Sequence, residues 1–198
     1  MRQRLQFVAD YNSAVMKCHF LSIVFMVLTI TSCIQLAGLT SGYSHLSQKQ
    51  QERVVKCDGR ISDIQDYSYV YEVTVAQVKE FLSTHEKVIV YDYTPFCTSD
   101  NCVSPIRLKQ FCHEKGLELL VISNIYDDIF KSLSPHYPML MIDADEHGTK
   151  RRSKYIDAFY ISLLGKTQKE ISYALYHYFY KGMYVASFKN IEDKNIHF

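Results

Sequence analysis

A chain of 198 residues with 47% hydrophobic and 22% charged content can bury a genuine core and lacks the composition of a disordered protein. Its formal net charge of +1 argues against a nucleic-acid partner. No glycine-rich phosphate loop, Gly-x-Ser-x-Gly elbow or zinc-type paired-cysteine motif is present, so a nucleotide enzyme or hydrolase is disfavoured and no cofactor is implied.

Near the N-terminus lies an apolar stretch, Phe20–Ile30, preceded by Lys17 and closed by Thr31-Ser32-Cys33. A basic start, a short apolar run and small residues at its end make a signal peptide over residues 1–32. Ile30-Thr31-Ser32-Cys33 resembles the lipobox of bacterial lipoproteins, which implies lipid on Cys33 and a partner in the membrane. Met16-Lys17 looks like a natural start, making residues 1–15 an extension. The competing reading is an uncleaved anchor over His19–Leu39, although Thr29, Thr31, Ser32 and Gln35 make its second half polar. Both readings place the remainder outside the cytoplasm, in the cell envelope and facing the periplasm or the exterior.

Residues 33–60 read as the lipidated cysteine and a polar tether, interrupted only by Val54-Val55. A folded domain is expected over 61–188, with a tail over 189–198. Tyr67–Val73 is aromatic and β-branched and predicts a strand. Thr74 caps a helix carrying Val75, Val78, Phe81 and Leu82 at helical spacing. Lys87–Tyr93 is apolar enough to be a central strand. Pro105–Lys115 is expected to be helical and to stop at Gly116. Leu117–Asn124 follows as a strand and Tyr126–Leu133 as a short helix.

Pro138–Asp143 returns as a strand, and Asp145–Gly148 is expected to turn into an antiparallel partner. The basic cluster Lys150-Arg151-Arg152 with Lys154 then falls in a solvated turn. Thr167-Gln-Lys-Glu170 is a capping box, expected to open a last helix with Ile171, Ala174, Leu175 and Tyr178 on its buried stripe and Gly182 beyond its end. The fold class is therefore α/β: a three-layer α/β/α arrangement with a mixed sheet, ending in a hairpin plus helix.

Beyond Cys18 in the signal and Cys33, the cysteines are Cys57, Cys97, Cys102 and Cys112. Four cysteines allow three pairings, and only Cys97 with Cys102 is favoured by proximity. Cys112 shares a helix with Ile106, Leu108 and Phe111 and is expected in the core, while Cys57 is free or bridged to Cys112.

The element order, with cysteines after the second strand, resembles the thioredoxin fold over roughly Tyr67 to Lys181. Thr94-Pro95-Phe96-Cys97 looks like that family's approach to its nucleophile, and Tyr137-Pro138 opens the fourth strand, where the family carries a cis-proline facing the cysteines. The resemblance implies that Cys97 attacks, Cys102 resolves and Pro138 guides the substrate backbone. Departures accompany it. Four residues, Thr98–Asn101, separate the cysteines instead of two. Within one regular helix that spacing would leave the side chains about 140° apart with about 7.5 Å of rise, too divergent for a disulfide. Ser104-Pro105 would start the helix after Cys102 and free both cysteines to pair on a loop. Phe96 stands where the family has tryptophan. Tyr91 stands in place of its buried acid, with Asp92 one step on and facing the other way.

Three functions compete. A tethered thiol–disulfide oxidoreductase would use Cys97 and Cys102 on thiol- or disulfide-bearing envelope proteins. A non-catalytic envelope binding protein would carry the same bridge as a structural disulfide, with Tyr173, Tyr176 and Tyr180 on one face of the last helix as its contact surface. A copper-handling module would add His136, or less directly His113, to the two thiolates.

Overall fold

Runs of β-branched and aromatic residues pair into one mixed, seven-stranded sheet in the computed structural model, which describes residues 38–171, 173–191 and 198. The strands are β1 (Val54–Lys56), β2 (Val70–Val73), β3 (Lys87–Tyr93), β4 (Glu118–Ser123), β5 (Met139–Ile142), β6 (Tyr176–Tyr180) and β7 (Met183–Phe188). Four α-helices lie among the described residues: α1 (Gln48–Gln51), α2 (Val75–Thr84), α3 (Pro105–Glu114) and α4 (Arg152–Leu164). Across the sheet the order is β1-β2-β5-β4-β3-β6-β7. The first five strands are parallel; β6 runs antiparallel to β3 and β7 antiparallel to β6.

The chain passes from β2 to β3 in one direction through α2 and steps back to β4 through α3. Right-handed crossovers therefore put those helices on opposite faces. α4 packs beside α2. The sheet's centre is the densest part of the core, with Val88, Ile89, Val90, Met139, Leu140 and Ile142 fully enclosed. Burial on both faces explains why these strands are continuous apolar runs.

Several expected elements form as read. Thr74 caps α2, accepting from the Gln77 N–H, and Val75, Val78, Phe81 and Leu82 are its buried residues. β3 spans Lys87–Tyr93. α3 begins at Pro105 behind Ser104, whose hydroxyl accepts from the Arg107 N–H, and Gly116 follows in the left-handed region at φ 65°. A strand and a helix are clearly shorter than expected. β2 starts at Val70 because Ser68 donates its N–H to the Asp66 side chain in a local turn. Only Ile129–Ser132 of the expected 126–133 helix winds, as a 3-10 turn.

Other expectations are overturned. The stretch 38–60 is no tether, because β1 pairs with β2 and Leu46 and Cys57 enter the core. Asp145–Gly148 does not turn into a strand: Ala144–His147 is a 3-10 turn and α4 follows. The last helix is replaced by the β6–β7 hairpin, so the order is helix then hairpin. Thr167 and Glu170 do exchange capping-box contacts, with the Thr167 N–H and hydroxyl donating to the Glu170 carboxylate at 2.9 and 2.6 Å, but they close a turn with no helix behind it. None of the described peptide bonds is cis, so Tyr137-Pro138 is trans. Cys33 and the signal segment lie outside the described residues.

Candidate functional site

β3 ends at Tyr93, and the chain then makes two separate turns before α3 starts. The first, Thr94–Cys97, is closed by the Cys97 N–H donating to the Thr94 carbonyl at 3.0 Å. The second, Ser99–Cys102, is closed by the Cys102 N–H donating to the Ser99 carbonyl at 2.9 Å. A Cys97–Cys102 disulfide joins them, with Cα atoms 6.1 Å apart. The delayed start of α3 at Ser104-Pro105 makes the bridge feasible, because both cysteines lie on non-helical backbone. Each is half-buried, residues Thr98–Asn101 are exposed, and the pair sits where the parallel strands point their C-terminal ends, the usual place for chemistry in open α/β sheets.

The Ser99 hydroxyl lies beside both sulfurs. Its Oγ lies 3.3 Å from Cys102 Sγ and 3.5 Å from Cys97 Sγ, and since disulfide sulfur carries no proton the hydroxyl is the donor. Beneath the loop, two buried tyrosines stack at 4.8 Å between ring centroids. Tyr91 donates its hydroxyl to the Val103 carbonyl at 3.0 Å; Tyr176, its cross-strand partner on β6, donates to the Asn101 carbonyl at 2.7 Å and accepts from the Val103 N–H at 3.2 Å. Burial, with the neighbouring Tyr176 adding to it, raises the Tyr91 phenol far above its usual range, so it stays a donor.

On the opposite face of β3 lies a second polar cluster. Asn124 donates to Asp92 at 2.6 Å, and its Oδ1 accepts from the Arg152 guanidinium. Thr94 Oγ1 accepts from Asn124 Nδ2 at 3.3 Å and from Arg152 Nη2 at 3.4 Å. Arg152 is therefore drawn inward from α4 and is not part of a solvated turn. Burial pushes the Asp92 carboxyl up to about 6, with the Asn124 bond, the Arg152 charge and the Tyr160 hydroxyl pulling the other way. The Tyr160 hydroxyl points at Asp92 yet makes no hydrogen bond of good geometry. His177, on β6, lines the same recess; burial, then the Lys166 charge, bring it down to about 4. The recess holds about 20 Å³, room for about one water.

The remaining expected residues disperse. Pro138 precedes β5, which is separated from β3 by β4. The register sets Met139 level with Val121 and Tyr91, so Pro138 lies level with Val90, below the strand ends and about 10 Å sideways from β3. That position sets it apart from the cysteine loop, whose hydrogen-bonded neighbour is Tyr176. His136 is exposed in the turn ahead of β5, and His113 lies in the last turn of α3, about 12 Å along the helix from Pro105. Neither accompanies the cysteines, and no group of three or more metal-ligating side chains occurs among the described residues. Tyr176 and Tyr180 belong to a strand, which removes the expected helical tyrosine face.

Cys57 and Cys112 are free and buried, with burial pushing the Cys112 thiol up to about 12. A groove of about 370 Å³ runs beside Phe96, floored by Leu46, Ile129 and Phe130 with His45 and Asp127 at its side. No described helix is long and apolar enough to cross a membrane. The fold and site define an α/β protein with a half-exposed disulfide at the end of a central parallel strand. Comparison with family models, curated proteins and solved structures finds no match for this chain.

Proposed function

We propose that this chain is an exported, lipid-anchored protein whose Cys97–Cys102 disulfide exchanges with thiols of envelope proteins, on a thioredoxin-like scaffold. The observation that carries this reading is the position of the pair, half-exposed on a loop at the C-terminal end of β3. A purely structural bridge gains little here. Closing so short a loop limits the unfolded chain by only about 2 kcal/mol, and Tyr91 and Tyr176 already hold the loop by hydrogen bonds. The unit β3–cysteine loop–α3–β4, with an antiparallel hairpin on the other side of β3, supports the thioredoxin-like reading; the interposed β5 departs from the element order that suggested it. The lipid anchor rests on Ile30–Cys33 following the apolar run.

In the exchange, a partner dithiol gives two electrons and two protons to the disulfide, leaving a partner disulfide and two thiols on this chain. Insulin reduction by the protein in the presence of a dithiol reductant tests it. Turnover above the uncatalysed rate is expected, with loss of at least tenfold in Cys97→Ser. Equal rates in the two proteins would reject exchange. They would favour the second reading, a binding protein with a structural disulfide, for which the exposed Phe96, Ile106 and Tyr173 speak. Radiolabelled palmitate should enter the wild-type protein and not Cys33→Ala.

A further inference from the structure

The two cysteines are held by different parts of the molecule, and that asymmetry has a chemical consequence. Cys97 closes the turn begun by Thr94, which Asn124 and Arg152 anchor from the far face of β3. Cys102 closes the turn begun by Ser99, and the tyrosine bonds to Asn101 and Val103 anchor that one. Cutting the disulfide removes the covalent link between the turns but neither set of anchors. The Ser99 hydroxyl therefore stays with Cys102, its own turn partner at 3.3 Å, whereas Cys97, at 3.5 Å, belongs to the other turn and is joined to Ser99's turn through the disulfide.

We infer that Ser99 is a positioning residue that holds Cys102 as the stabilised thiolate, making Cys102 the leaving sulfur and Cys97 the one that bonds to the partner. This rests on the exchange reading above. A partner thiolate attacks Cys97 Sγ, the S–S bond breaks, and its electron pair leaves on Cys102 Sγ, where the Ser99 O–H donates to the new charge. A hydrogen bond to an ionised acceptor is stronger than one to a neutral one, so the bond gains strength as the sulfur departs. A thiol of lower pKa is also the faster leaving group. The partner's second thiolate then attacks the partner sulfur of the mixed disulfide, and Cys97 leaves as a thiolate that takes a proton from solvent. Both electrons delivered reside on this chain's two sulfurs, and the partner holds the new disulfide.

The test is alkylation by iodoacetamide as a function of pH, read at each cysteine by mass spectrometry, on protein reduced with a phosphine. That reduction does not depend on exchange activity. Cys57 and Cys112, being buried, serve as slow internal references. In wild type the Cys102 midpoint should lie below that of Cys97. Ser99→Ala should raise the Cys102 midpoint by about one pH unit, a tenfold change in thiolate, leave Cys97 in place, and be reversed by Ser99→Thr. In equilibrium with glutathione, Ser99→Ala should favour its own disulfide by about tenfold, or about 30 mV. An unmoved Cys102 midpoint, or a shift at Cys97 instead, overturns the role of Ser99. Normal alkylation profiles with no insulin turnover would instead sink the exchange reading.

Discussion

Tyr176 joins distant parts of the chain at a single atom. Its hydroxyl donates to the Asn101 carbonyl and accepts from the Val103 N–H, so a residue on β6 fixes the loop that follows β3. Tyr176→Phe would leave both backbone groups without that partner. Losing partners for part-buried groups costs about 1–3 kcal/mol, so urea unfolding should show a loss of that size. The loop, less firmly held, should also be reduced faster by dithiothreitol. A stability unchanged within error would mean that solvent replaces the tyrosine at no cost. This residue and its neighbours explain what the sequence withheld about the site. Cys97 and Cys102 were legible because they lie together behind an apolar strand. Tyr176, Asn124, Arg152 and Thr94 meet only through the sheet order, and no spacing in the chain announces such a meeting.

At the scale of elements, legibility follows how far local signals agree. β3 and α2 are unambiguous: a central strand buried on both faces must be apolar throughout, and a capped amphipathic helix carries its own start and stripe. α4 hides in a charged opening, Arg152-Ser-Lys, yet Tyr155, Phe159, Tyr160, Leu163 and Leu164 recur at helical spacing before Gly165 in the left-handed region. That stripe was the missed signal. β6 offers two patterns at once. Ile171, Ala174, Leu175 and Tyr178 suit a helix, but Tyr-His-Tyr-Phe-Tyr is a run of strand formers, and pairing with β3 decides the matter. Gly182, expected beyond the end of a helix, lies instead in a hairpin turn. Lys181 and Gly182 have φ of 48° and 77°, the paired positive values of a two-residue hairpin. A Cβ at Gly182 would also come within 3.3 Å of the Ser83 backbone. Gly182→Ala should therefore destabilise by about 1–2 kcal/mol, measured by thermal or urea unfolding. A neutral effect would show that the hairpin shifts freely away from α2.

For the molecule as a whole, the part-buried Asp92 and the buried His177 line one recess and push acid response in opposite directions. Asp92 titrates at about 6 in the fold against an ordinary 3.8, so the unfolded chain loses its proton first as pH rises. Its contribution is full below about pH 4 and is lost as pH climbs through 6, a change of about 3 kcal/mol. His177 titrates at about 4 against 6.5, so the unfolded chain binds its proton first as pH falls. Its contribution is full above pH 6.5 and is lost on descent through 4, again about 3 kcal/mol. Between those limits the two slopes have opposite sign and nearly cancel, with Glu72, also raised by burial, adding to the Asp92 side. Single substitutions should expose each slope. Relative to wild type, Asp92→Asn should gain stability with rising pH between about 4 and 6, and His177→Gln should lose it over the same range. Urea unfolding at several pH values reads both. Parallel profiles for the two variants and wild type would mean that solvent reaches both groups freely and the recess is open.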